Sequence, residues 1–107
     1  METNDKVAML LNQLVSMFHF AALQQMGKLK NPMTDKIEQD LQQSRVSIDM
    51  LEMLHTKMQG NLTAEEERFL SDVLKELRLN YVDEVRKSQT VPAGQDQTAP
   101  ATPDAQP

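Results

Sequence analysis

The stretch Met58-Gln59-Gly60-Asn61-Leu62-Thr63-Ala64-Glu65-Glu66 reads as a helix stop followed at once by a helix start. Gly60 suits the stop, because the left-handed backbone that closes a helix carries no side-chain penalty for glycine. Thr63 and Glu66 have the spacing of a capping box. The threonine oxygen accepts the backbone N–H of Glu66, and the Glu66 carboxylate reaches back to the N–H of Thr63. Glu65, Glu66 and Glu67 place negative charge at the positive end of the helix dipole. Two helices joined by so short a turn run antiparallel.

Upstream, the second helix is expected from about Thr34 to Gln59, after the break at Asn31-Pro32. Ile37, Leu41, Ser44, Ile48, Leu51, His55 and Met58 alternate spacings of four and three, the seam of antiparallel bundles and coiled coils. Val46, Met50 and Met53 form a second stripe on almost the opposite side, so this helix has two neighbours. Downstream, Ala64 to about Lys87 carries Leu70, Val73, Leu74, Leu77, Tyr81 and Val85 on one face. With equal rise on both sides of the turn, facing residues have numbers summing to about 125. Leu51 then faces Leu74, Ile48 faces Leu77, and the small Ser44 lies opposite the bulky Tyr81. The same register sets Asp49 beside Arg78 and Glu52 beside Lys75.

The first helix is expected from about Asn4 to Met26, closed by Gly27, with Lys28 and Lys30 just beyond its negative end. Asn12, Ser16 and His19 share one narrow polar stripe. Val7, Leu10, Leu11, Leu14, Val15, Phe18, Ala21 and Ala22 cover nearly half the circumference. Met9, Phe20 and Leu23 fall in or near the polar sector. An apolar sector this wide exceeds what one neighbour needs, so the helix is expected to be wedged between several, some from another copy. The acidic start Met1-Glu2-Thr3-Asn4-Asp5 does not fit a signal peptide, and Asn12, Gln13, Ser16 and His19 interrupt the apolar run too often for a membrane span. A cytoplasmic protein is the expectation.

The expected fold is all-α: three long helices in a bundle domain, residues 1–87, followed by a disordered tail, 88–107. The tail expectation follows from composition, since Ser88-Gln89-Thr90-Val91-Pro92-Ala93-Gly94 gives way to Gln, Thr, Ala, Pro and Asp with Val91 its only large apolar residue. The 107 residues hold no cysteine, which excludes disulfides, thiolate metal sites and a cysteine nucleophile. A net charge of −5, from 16 acidic and 11 basic residues, argues against a nucleic-acid binder, and one Tyr and three Phe leave little for base stacking.

Chemistry is sparse. Glu52-Met53-Leu54-His55 has the Glu-x-x-His spacing of di-iron bundles, but the seam around it is otherwise aliphatic, and a packed or singly hydrogen-bonded histidine is the plainer reading. His19 has no acidic or nucleophilic companion nearby in sequence. Ser44 and Ser47 lack a nucleophile-elbow context, and no glycine-rich phosphate loop is present. Eight methionines are compatible with core filling or with an adaptable binding surface.

The pattern Ile48-Asp49-x-Leu51-x-x-Leu54-x-x-Lys57-x-x-Gly60-Asn61-Leu62-Thr63-x-Glu65-Glu66, with Leu77-Arg78-x-x-Tyr81-Val82 beyond it, resembles a family of short bacterial proteins classed as a domain of unknown function. Gly27, Pro32 and Asp40-Leu41 fit the same pattern, so the resemblance spans roughly residues 10 to 82. The pattern usually has threonine where this chain has Met58. The resemblance implies a small bacterial helical protein and brings no activity, so no catalytic or cofactor-binding residue is carried over.

The expectation is therefore a non-enzymatic helical protein, without cofactor, nucleic acid or membrane. It would self-associate or dock on a protein partner through Met9, Phe20, Val46, Met50 and Met53. The alternative is a metal- or small-molecule-binding bundle using Glu52 and His55.

Overall fold

A computed structural model describes residues 3–89. Among these, α1 spans Thr3–Gln25, α2 Leu41–Lys57 and α3 Ala64–Gln89. The fold is all-α, and α2 and α3 pack as the antiparallel hairpin expected. The turn between them is built as the sequence dictates. Gly60 adopts φ +87, Thr63 Oγ1 accepts the Glu66 N–H at 3.1 Å, and Glu66 Oε1 accepts the Thr63 N–H at 2.9 Å. Leu62 tucks against the core rather than stapling to the next helical turn. Ser88 and Gln89 continue α3; the rest of the expected tail lies outside the described residues.

The second helix begins seven residues later than the periodicity implies, at Leu41 instead of Thr34. Three local interactions hold the preceding segment out of the helix. Asn31 and Lys36 form an isolated antiparallel bridge, Asp35 turns through φ +61, and Asn31 Oδ1 accepts the Met33 N–H at 2.8 Å. Asp40 then caps α2, its carboxylate accepting the Gln43 N–H at 3.0 Å. Ile37, assigned to the seam by spacing, therefore sits in the loop and is exposed.

The core is a narrow ridge shared by all three helices: Val15, Ala22 and Met26 from the first, Ile48 and Leu51 from the second, Leu70, Val73, Leu74 and Leu77 from the third. Ser44 is fully buried, and its hydroxyl donates to Leu41 O at 2.9 Å. Tyr81 packs at the core margin, with the Arg45 guanidinium 5.9 Å from its ring centre. The hairpin register is close to that expected, but neither expected charge pair, Asp49–Arg78 or Glu52–Lys75, forms. Arg78 donates to Glu52 Oε2 from Nε at 2.8 Å and Nη2 at 2.7 Å, whereas Asp49 lies 3.8 Å from Arg45 one turn back on its own helix. The long arginine side chain reaches nearly one turn past Asp49, a shift that equal-rise arithmetic does not capture.

The α1–α2 connection is clamped to the end of α3. Gly27, at φ +90, closes the first helix. Lys28 Nζ lies 2.8 Å from Glu84 Oε2 and 3.0 Å from Asp83 Oδ2. Gln39 Nε2 donates both to Met26 O and to Glu84 Oε1, at 3.0 and 3.1 Å. Glu84 is buried, yet its carboxylate is held below the usual range: burial pushes its pKa up, and the hydrogen bonds from Lys28 and Lys87 more than offset this.

Candidate protein interface

Helix α1 is long and apolar enough by composition to cross a membrane, yet only 11% of that stretch is buried. Its wide apolar sector is thus divided. Val15 and Ala22 lie in the core, with Leu11, Phe18 and Leu23 packed against it. Val7, Leu10 and Leu14, expected among the wedged residues, are 58%, 49% and 39% exposed, and Met17 beside them is 62% exposed. The polar stripe takes the flank toward α3 instead. Asn12 lines a cleft with the cap residue Thr63 and with Glu65, Glu66 and Phe69 of that helix, and His19 Nε2 lies 3.2 Å from Glu76 Oε1. His19 Nε2 is buried and does not reach hydrogen-bond geometry, so it is a charge-proximity contact only.

Two observations place the bare residues on one surface. Ser47 Oγ donates to Gln25 Oε1 at 2.7 Å, which sets that side of α2 against the C-terminal end of α1. Val7 lies eighteen residues, or about five full turns, before Gln25 and so on the same line of α1. Leu14, Leu10 and Met17 follow it round, away from the His19 flank. On α2, Ile48 and His55 point to α3, whereas Val46, Met50 and Met53 continue beyond the Ser47 side, 38%, 46% and 52% exposed. Both stripes therefore flank the α1–α2 seam on the face opposite α3. The methionine stripe of the sequence reading is on this face. Phe20, 46% exposed, stands at its margin, and Met9 is exposed but turned roughly a quarter of the circumference off the stripe. The spacing Val7, Leu10, Leu14, Met17 was visible in sequence, but nothing there distinguished this side of the apolar sector from the buried one.

The alternative centred on Glu52 and His55 is not assembled. Glu52 is taken by Arg78. His55 Nε2 meets Glu67 Oε2 of α3 at 2.8 Å, and since a carboxylate only accepts, the ring nitrogen is the donor. Ser71 Oγ donates to the same oxygen at 3.1 Å. The His55 bond holds the Glu67 carboxyl below its usual range, helped by Ser71. Serine and histidine thus converge on the carboxylate rather than on each other, which leaves no activated hydroxyl. Among the described residues no three His, Asp or Glu side chains are grouped to hold a metal ion.

Comparison with curated proteins finds no match, and comparison with solved structures finds none either. The model of one family, a domain of unknown function (DUF1844), matches residues 8–83, from the first turns of α1 to the Asp83 that Lys28 grips, and the chain belongs to that family.

Proposed function

We propose that the chain is a non-enzymatic cytoplasmic module that works by docking its α1/α2 face on another polypeptide. The observation that carries this reading is the alignment of seven apolar side chains, Val7, Leu10, Leu14, Met17, Val46, Met50 and Met53, on one surface at 38–62% exposure. Scattered exposed apolar residues are ordinary; a contiguous apolar face framed by polar residues marks an interaction site. Methionines and leucines adapt to a partner's contour, and the net charge of −5 keeps so apolar a surface in solution. The titratable pairs support a structural rather than a catalytic use of polar groups, since Lys28–Glu84, His55–Glu67 and Arg78–Glu52 each tie two parts of the bundle together.

A photo-crosslinking phenylalanine analogue at position 50 of the full chain, activated in expressing cells, tests the reading. Covalent adducts with polypeptide are expected at position 50, reduced by Met53→Glu, and not at exposed Asp72 on α3. Equal, background-level labelling at positions 50 and 72 overturns it.

A further inference from the structure

Resting on the docking reading above, we infer that the occupant of this face is a second copy of the chain, paired antiparallel through α1 about a two-fold axis between Leu14 and Met17. The argument begins with heights along the bundle. The antiparallel α2 starts beside the end of α1, with Asp40 N–H donating to Gln25 O at 2.6 Å and Ser47, seven residues on, still bonded to the Gln25 side chain. Facing residues of α1 and α2 therefore have numbers summing to roughly 65–72, which sets Lys57, the last residue of α2, level with residues 8–15 of α1. The first turns of α1, up to Val7, therefore overhang the end of α2. There and along the next two turns the bulky Val7, Leu10 and Leu14 stand bare. The C-terminal half instead forms a shallow trough. Its floor is the small, half-buried Ala21, and its walls are Met17 and, from α2, Val46 and Met50.

One chain thus carries both a ridge and a trough, at opposite ends of the same stripe. A two-fold axis brings each ridge to the other copy's trough, which is the reciprocal pairing that closed dimers require. The sequence spacing agrees. Val7, Leu10, Leu14, Met17, Ala21 and Gln24 alternate intervals of three and four, a coiled-coil seam. With the axis between Leu14 and Met17, Leu14 meets Met17 of the partner copy, Leu10 covers the partner's Ala21, and Val7 meets the partner's Gln24. A leucine of the ridge falls on the smallest residue of the trough. In-register parallel pairing would instead set Leu10 on Leu10 and Ala21 on Ala21, leaving the trough unfilled. The paired length, eighteen residues at about 1.5 Å each, and a width of two helices give a footprint of roughly 500 Å² per copy before the rim, within reach of the standard ~800 Å² of accessible surface per partner.

Two other occupants are less suited. The segment past Gln89 has Val91 as its only large apolar residue, so it offers no stripe to lay on the face. A lipid surface would take α1 alone, but Val15, Ala22 and Met26 hold that helix in the core and Lys28 ties its end to α3. An acidic chain is also repelled by anionic lipid.

The chain's lack of cysteine makes single-cysteine variants clean reporters. Mixing Leu10→Cys with Ala21→Cys under mild oxidation is expected to give a disulfide between the two variants, whereas neither alone cross-links. In the antiparallel pair two copies of residue 10 lie eleven residues, about 16 Å, apart along the axis, well beyond the ~7 Å a disulfide tolerates. Sedimentation of the wild-type chain is expected to show a dimer, and Leu14→Glu to raise its dissociation constant at least about tenfold with helicity unchanged. If Leu14→Glu fails to fold, the mixed cross-link on otherwise wild-type chains still decides. A wild-type chain that stays monomeric at about 100 µM, cross-linking by Leu10→Cys alone, or a monomer that floats with phosphatidylcholine vesicles overturns the inference. A monomer that still labels a different polypeptide from position 50 overturns it while leaving the docking reading standing; loss of that labelling removes both.

Discussion

Gly27 and Gly60 both close helices at positive φ, +90 and +87, yet a methyl group meets different surroundings at the two positions. At Gly60 it finds nothing within 4 Å, so Gly60→Ala costs only the backbone strain, about 1–2 kcal/mol. At Gly27 it approaches Gln39 Nε2 to 3.4 Å, the atom that also bonds Met26 O and Glu84. Gly27→Ala is therefore expected to be the more destabilising of the two in urea titrations, and Gln39→Ala to narrow the difference. The Glu84 cluster adds a pH signature. Asp83 and Glu84 are both held below the ordinary carboxylate range, Asp83 chiefly by its hydrogen bond from Lys28 and Glu84 by Lys28 and Lys87 against the opposing effect of its own burial. Groups depressed on folding contribute stability that is complete above their unfolded pKa and is lost as pH falls through the folded one. Lys28, raised first by Glu84 and then by Asp83, contributes below its ordinary 10.5 and loses that contribution as pH rises through the raised value. Urea midpoints should thus fall on acidification below about pH 5, and Glu84→Gln should flatten that limb as well as lower the plateau. An unchanged acid limb would show that the clamp is not what acid breaks.

The elements are defined by their caps more than by their periodicity. At the start of α3, glycine, threonine and glutamate spacing gave the turn, the capping box and the antiparallel hairpin, all legible because each depends on residues within one turn of one another. The start of α2 is harder to locate for the converse reason. Ile37 continues the seam's spacing, and hydrophobic period alone extends a helix until something local stops it. The stop is Asn31, whose side chain engages Met33 N–H and Glu38, and the start is Asp40, whose carboxylate caps the Gln43 N–H. If these caps govern, Asp40→Ala and Thr63→Ala should each cost about 1 kcal/mol, measured by thermal or urea unfolding. Far-ultraviolet dichroism should show α2 fraying rather than growing back into residues 34–40. For α1 the sequence was ambiguous in a deeper sense. Its apolar sector is wide enough for several neighbours, and only tertiary contacts such as Ser47–Gln25 and His19–Glu76 reveal which part is core. The candidate face was accordingly half legible. Val46, Met50 and Met53 stood out because they oppose a recognisable seam, whereas Val7, Leu10, Leu14 and Met17 were indistinguishable from the buried Val15 and Ala22 beside them.

At the scale of the molecule, α3 covers one side of the α1–α2 pair and the opposite side is left apolar. A small domain buries a smaller share of its surface than a large one, and here much of the apolar surface of its first helix stays outside the core. Two copies pairing through that face would convert a one-sided bundle into a two-sided core, with α1 of each copy at the centre and α3 of each on the outside. Stability then becomes linked to association. Anything that binds the folded chain and not the unfolded one raises the midpoint by mass action, and a second copy is such a ligand. The melting temperature of the wild-type chain is therefore expected to climb with its concentration. In Leu14→Glu the midpoint should be lower at high concentration and insensitive to dilution, converging on wild type when both are dilute. Met9→Glu supplies the internal control, because Met9 is 47% exposed yet lies off the stripe, so its midpoint should track the wild type at every concentration. A wild-type midpoint independent of concentration, in the range where sedimentation shows dimer, would mean that the pairing does not stabilise the fold and that α1 is held by its own core residues alone.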